Sequence, residues 1–179
     1  MDVLDQLDQL GPLLVHVVGE ISPDELDNPT PCAEFTVRGV LEHMIGGATM
    51  FTAAFRGVEP NEPDTRDVLA GFGPVLSGLA AAIHEPGALD RTVNAPFGDV
   101  PGETFARFVV LDGLVHGWDL ATATGQRYAP PDDLIASVQS FADGAVPPLR
   151  NSETFGVAVD APASATPIER LAAFTGRGL

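Results

Sequence analysis

The chain has 179 residues, of which 45% are hydrophobic and 19% are charged, so it is long enough and apolar enough for one globular domain with its own core. Its formal net charge is −16, and all 9 basic residues are arginines. So acidic a surface repels phosphate backbones and anionic lipids, which argues against nucleic acid or a membrane surface as a partner.

The sequence shows no signal for export or membrane insertion. Its acidic N-terminus lacks the basic segment and apolar block of a signal peptide, and no apolar run reaches about 18 residues. We therefore expect a cytoplasmic protein without a transmembrane helix. Cys32 is the only cysteine, which excludes an internal disulfide, and we interpret it as a buried structural residue rather than a reactive thiolate.

The first predicted element is a helix over residues 2–20, where apolar residues recur at helical spacing. Gly11-Pro12 interrupts this pattern and predicts a kink or a restart. We interpret His16, which lies beside the apolar stripe, as a surface histidine. A proline-rich connector over residues 22–34 follows the helix.

The second predicted helix begins near Thr36, whose hydroxyl can cap it, and runs to about Phe55. It contains the pair Gly46-Gly47, and each glycine costs about 1 kcal/mol relative to alanine inside a helix. Such a cost indicates a structural reason. Either another helix approaches closely there, or open room is needed beside His43, which lies at the edge of the apolar face.

The rest of the chain favours an all-α fold with a short extended or hairpin segment over residues 91–100, from which Phe97 would fold over one end of the bundle. Helices are predicted over Asp67–His84, Phe105–Thr124, Leu134–Ala142 and Ile168–Phe174. His84 is expected to cap the helix that it ends. Short connectors between such helices favour an antiparallel four-helix bundle in a single domain, with its core over about 1–145 and the tail 146–179 packed on it.

The central helix carries ionisable residues in its apolar stripe. At about 100° per residue, Asp112, His116 and Asp119 fall within about 60° of Phe105, whereas Trp118 falls outside and is expected at a rim or an interface. An unpaired buried carboxylate costs several kcal/mol, so something must compensate it. Asp112 and His116 are one helical turn apart and can converge on a divalent metal ion.

In a bundle, His43 from the second helix could face this pair. Two imidazoles and one carboxylate with an open position are typical of a catalytic zinc site, and nickel or ferrous iron suits the same donors. Asp119 could orient the imidazole of a ligand, or it could bind a connector backbone or an arginine. A metal-free bundle with a buried Asp–His pair remains an alternative. No H-E-x-x-H motif is present to indicate a zincin-type protease.

Two stretches resemble the DinB/YfiT-like superfamily of metalloenzymes: T-P-C-A-E-F-T-V-R-G-V-L-E-H-M at 30–44 and D-G-L-V-H-G-W-D-L-A-T-A-T-G-Q at 112–126. The sequence is most similar to an actinobacterial subgroup related to the N-terminal, metal-binding domain of mycothiol-dependent maleylpyruvate isomerase, and the tail from 155 to 177 shares this similarity. The resemblance implies a four-helix bundle that holds a divalent metal through a histidine of the second helix and an E/D-x-x-x-H pair of a later one. These positions match His43, Asp112 and His116.

The resemblance also implies a chemistry. Related thiol-dependent proteins use the metal to hold a low-molecular-weight thiol, here of the mycothiol type, as the thiolate that attacks a small electrophilic substrate. The implied function is a metal-dependent thiol S-transferase or isomerase, and the resemblance also suggests a homodimer. A non-catalytic metal- or ligand-binding bundle remains the alternative. The carboxylate, Asp112, is an aspartate where the isomerase pattern has glutamate. Its side chain is shorter, so the helix must lie closer to the metal to compensate. The isomerases carry a further C-terminal domain, which we do not expect here.

Overall fold

The computed structural model describes residues 1–33, 35–95, 98–152 and 155–179, with 151 and 152 described by their backbone alone. Phe97 lies outside the described residues. The described chain contains the helices α1 (Val3–Gly19), α2 (Val37–Arg56), α3 (Val68–His84), α4 (Gly102–Ala123), α5 (Asp132–Ala145) and α6 (Pro167–Phe174). Short 3-10 turns lie at Pro23–Glu25 and Pro147–Ser152, and an antiparallel hairpin is formed by β1 (Thr92–Ala95) and β2 (Gly98–Pro101). The predicted all-α fold with a short hairpin is confirmed.

The helices α1 to α4 form a bundle in which α1 and α2 each pack against both α3 and α4. Helices α2 and α4 run antiparallel, because Phe51, near the end of α2, packs on Phe105, near the start of α4. His43, near the start of α2, lies instead against His116, near the end of α4. This crossing brings the predicted site residues of the two helices to the same level of the bundle.

Helices α1 and α4 run side by side in the same direction. Leu10 lies against Gly113, where an added Cβ would be 3.0 Å from the leucine Cδ2. Further along both helices, the carbonyl oxygen of Val17 accepts a hydrogen bond from the side chain of Gln126. The bundle therefore mixes antiparallel and parallel neighbours. The prediction of an antiparallel bundle with short connectors therefore holds for α2 and α4 but not for α1 and α4. The connectors at 20–36, 57–67 and 85–101 are long rather than short and allow this arrangement.

Two local predictions have different outcomes. Of the two alternatives expected at Gly11-Pro12, a kink or a restart, the restart is wrong, because α1 is continuous through Pro12. Pro12 is exposed, so water can bond the Asp8 carbonyl that an N–H at this position would otherwise have bonded. The predicted cap of α2 is confirmed: the Thr36 hydroxyl accepts a hydrogen bond from the Gly39 backbone N–H at 3.2 Å.

The tail helices α5 and α6 pack against α4 and against each other. A capping box between Thr166 and Glu169 begins α6. Trp118 is only 7% exposed, so its predicted place at a rim or an interface is wrong. One apolar stripe underestimates the burial of α4, because α1, α2, α5 and α6 all contact this helix.

Candidate metal centre

The ligand atoms of His43, Asp112 and His116 lie within 4.8 Å of one another. The Nε2 atoms of His43 and His116 are each 3.4 Å from Asp112 Oδ1. Ligand atoms about 2.0–2.1 Å from a tetrahedral zinc ion are about 3.3–3.4 Å apart, so both distances suit ligands that share an ion. The antiparallel crossing of α2 and α4 thus places the three predicted residues in a geometry that fits a divalent metal.

The site lies at the boundary between the bundle interior and the solvent. The side chains of His43 and Asp112 are 42% and 40% exposed, whereas that of His116 is 6% exposed. Asp112 is therefore less buried than its place in the apolar stripe suggests. One side of the cluster is open to water or to a small molecule, and the other side is fixed by the core.

The electrostatics of the site favour a positive charge at its centre. Burial alone would lower the pKa of His116, but the carboxylates of Asp112 and Asp119 outweigh this effect and raise it to about 9. Burial alone would raise the pKa of Asp112, but His116 and His43 hold it well below its usual range. In the absence of a metal ion, a proton on His116 therefore supplies the charge that the carboxylates require.

Asp119 anchors the buried side of this cluster. It is fully buried, and its Oδ2 accepts a hydrogen bond from His116 Nδ1 at 3.0 Å. With Nδ1 donating to Asp119, the lone pair of a neutral His116 ring is on Nε2, the atom that faces Asp112. The two uses considered for Asp119 from the sequence, an imidazole partner and an arginine partner, occur together, because Oδ2 also accepts from Arg177 Nη2 at 3.2 Å.

Arg177 is the residue of this cluster that sequence reasoning missed. It follows α6 and is separated from Asp119 by 58 residues, so no spacing in the sequence connects the two. Its Nη2 atom also lies 3.7 Å from Cys32 Sγ. Cys32 is partly exposed rather than buried as expected. The connector before α2, the end of α4 and the C-terminal tail therefore meet behind the candidate site.

The exposed imidazole of His43 lies between two other rings. Its centroid is 4.9 Å from that of His116 and 5.7 Å from that of Phe35. Phe35 occupies the space beside Gly39, where an added Cβ would lie 2.9 Å from the Phe35 Cδ1 atom. Ring packing thus restricts the orientation of His43 despite its exposure.

The remaining histidines lie away from the site. His16 is exposed, as predicted. His84 ends α3, where its Nδ1 lies 2.9 Å from the Ala80 carbonyl oxygen, as expected of a capping residue. Its Nε2 also lies 3.2 Å from an Asp8 carboxylate oxygen on α1.

The model of the mycothiol maleylpyruvate isomerase N-terminal domain family matches residues 7–121. The chain belongs to this family. The matched range contains His43, Asp112, His116 and Asp119, whereas Arg177 lies beyond it.

Relatives that the chain matches over most of their length extend the similarity into the tail. Two uncharacterized proteins of Mycobacterium tuberculosis, from the strains CDC 1551 / Oshkosh and H37Rv, are each 31% identical over 183 residues, covering 94% of this chain and 98% of the relative. No solved structure shows significant similarity to the chain. None of the described helices is long and apolar enough to cross a membrane.

Proposed function

We propose that the chain binds a divalent metal ion through His43, Asp112 and His116. The observation that carries the proposal is the convergence of two imidazole nitrogens and a carboxylate oxygen within 4.8 Å, with one side open. Zinc suits two histidines, one carboxylate and an open position best, and nickel or ferrous iron suits the same donors.

Residues behind the ligands support this assignment. Asp119 keeps the proton of His116 on Nδ1, so that Nε2 is available as a donor atom. Arg177 neutralises Asp119 and ties the tail to α4. This contact also supports our proposal that residues 1–179 form a single domain in which the tail packs on the bundle.

We further propose that the protein is a thiol-dependent S-transferase or isomerase that uses a low-molecular-weight thiol of the mycothiol type. A bound divalent cation would lower the pKa of the thiol, and the thiolate is the nucleophile. The thiol proton passes to water. The sulfur then uses an electron pair to form a bond to an electrophilic carbon of the substrate.

Two outcomes are open to this adduct. In a transfer reaction, the carbon releases its leaving group with the electron pair of the broken bond. In an isomerisation, the electron pair of a carbon–carbon double bond moves to the neighbouring atoms and returns when the thiolate is expelled. The exposed faces of His43 and Asp112 make the site accessible to both reactants from the solvent.

The first experiment compares metal content and thiol consumption in the variants His43→Ala and His16→Ala. Protein purified without chelator is analysed for bound metal by mass spectrometry, and thiol consumption is then followed with mycothiol and small electrophiles. His43→Ala should lose metal and activity, whereas His16→Ala, which changes an exposed histidine away from the site, should keep both. A His43→Ala protein with full metal content would contradict the ligand assignment. Metal binding without thiol consumption would contradict the enzymatic part alone.

A further inference from the structure

A cavity of about 60 Å³ lies between α1, α2, α3 and α4. Asp112 forms part of its wall, so the cavity adjoins the candidate metal centre. The other described residues that line it are apolar or glycine, and Asp112 is the only charged one among them. The structure therefore offers an apolar space directly beside the place where we propose that the chemistry occurs.

We propose that this cavity receives a short, uncharged alkyl group of the substrate. The substrate would then be an apolar electrophile rather than a dicarboxylate such as maleylpyruvate, which the family description names. This inference rests on the proposed function, because it assigns the reactive end of the substrate to the metal centre. It concerns the other end, which enters the bundle.

Charge argues against a carboxylate in the cavity. A buried carboxylate needs a cation or hydrogen-bond donors, and no arginine is among the described residues that line the space. The carboxylate of Asp112 in the wall would repel it, and the net charge of −16 would repel it further. An alkyl group, by contrast, gains free energy when apolar walls replace water around it.

The size of the cavity limits the group. A cavity of about 150 Å³ lined by Leu, Ile and Phe in another protein binds benzene. A space of about 60 Å³ is too small for a whole aromatic ring in a rigid bundle and suits a chain of a few methylenes.

The glycine pair in α2 provides a matched test. Gly47 follows His43 by one turn and lines the cavity, whereas Gly46 does not. A Cβ at Gly47 would have the Phe51 ring as its nearest neighbour, at 3.3 Å, and a Cβ at Gly46 would meet no atom within 4 Å. A leucine at 47 would therefore extend into the cavity, whereas a leucine at 46 would not. Both changes raise helix propensity similarly.

The experiment titrates the 179-residue chain, metal-free and zinc-loaded, with straight-chain alcohols from ethanol to octanol and with maleate, by protein NMR. Affinity for the alcohols should rise about fourfold per methylene up to about butanol and then level off. In the metal-free protein, maleate should leave the signals of the apolar residues that line the cavity unchanged. Gly47→Leu should weaken butanol binding at least tenfold, whereas Gly46→Leu should not, and both should bind zinc as the wild type does.

Three results would overturn the inference: stronger perturbation of the cavity by maleate than by butanol, equal effects of the two leucine variants, or affinity that keeps rising to octanol. Should Gly47→Leu fail to fold, Ala80→Leu fills the cavity from α3, and the exposed neighbour Ala81 gives the matched control Ala81→Leu. None of these measurements needs a thiol or turnover. An inactive protein with a cavity that binds butanol would therefore refute the enzymatic proposal and leave the preference of the cavity for an alkyl group standing.

Discussion

Replacement of Asp119 separates a role in metal binding from a role in packing. Asp119→Asn keeps the shape of the side chain and an oxygen that can accept from His116 Nδ1, but it removes the negative charge. Asp119→Ala removes both the hydrogen bond of 3.0 Å and the ion pair of 3.2 Å with Arg177. The two variants therefore distinguish the effect of the charge from that of the hydrogen bond.

The expected magnitudes follow from these contacts. Partners that orient a ligand histidine typically change metal affinity 10- to 100-fold, so we expect about tenfold for Asp119→Asn and about 100-fold for Asp119→Ala. These factors correspond to about 1.4 and 2.8 kcal/mol. Loss of one partner of a buried ion pair lowers the free energy of unfolding by about 3–5 kcal/mol. For Asp119→Ala we expect about 3 kcal/mol, because Arg177 keeps access to water and a contact with the Thr175 carbonyl oxygen.

Zinc affinity is measured by competition with a chromophoric chelator, and stability by urea unfolding of the metal-free protein. Asp143→Asn is the control, because it makes the same chemical change at an exposed position of α5. It should leave both quantities unchanged. If Asp119→Ala is folded and binds zinc within threefold of the wild type, Asp119 only anchors the tail, and its proposed role toward His116 is wrong.

Two other predictions concern pH and packing. Because the pKa of His116 is raised to about 9, its protonation stabilises the metal-free protein fully below about pH 6.5, and this contribution of up to about 3 kcal/mol is lost as pH rises through 9. Urea unfolding across this pH range should show the loss of stability. Zinc affinity should rise with pH, because zinc binding displaces the proton of His116. A zinc affinity that stays constant from pH 6.5 to 9 would contradict the assignment of His116 as a ligand. Gly117→Ala should destabilise the protein by about 1–3 kcal/mol, because the added Cβ would lie 2.8 Å from Tyr128 Cζ. Gly144→Ala, in the exposed face of α5, should instead stabilise the protein by up to about 1 kcal/mol. If the melting temperatures of the two variants shift in the same direction from the wild type, this reasoning is wrong.

The part of the site that local periodicity controls was predictable from the sequence. The spacing of Asp112 and His116 fixes their common face on any helix, and the edge position of His43 made it a candidate partner. Arg177 was beyond this reasoning, because its contact with Asp119 depends on how the tail returns to α4. Trp118 was misplaced for a related reason: a single stripe describes a helix with one buried face, whereas α4 has neighbours on several sides.

The charges of the cluster suggest why an arginine lies behind a candidate metal centre. With neutral imidazoles, Asp112 and Asp119 carry two negative charges and Arg177 carries one positive charge, so the cluster is singly negative. A divalent ion would make it singly positive, and an anionic thiolate would then bring it to neutrality. Without Arg177, the ion alone would neutralise the cluster, and a thiolate would leave a net negative charge close to a buried carboxylate. Arg177 thus allows Asp119 to accept the hydrogen bond from His116 Nδ1 without cancelling the charge of the metal ion. The open side of the site therefore keeps its attraction for one anion. A monoanionic sulfur nucleophile and an uncharged electrophile satisfy that balance better than a thiolate together with a dicarboxylate.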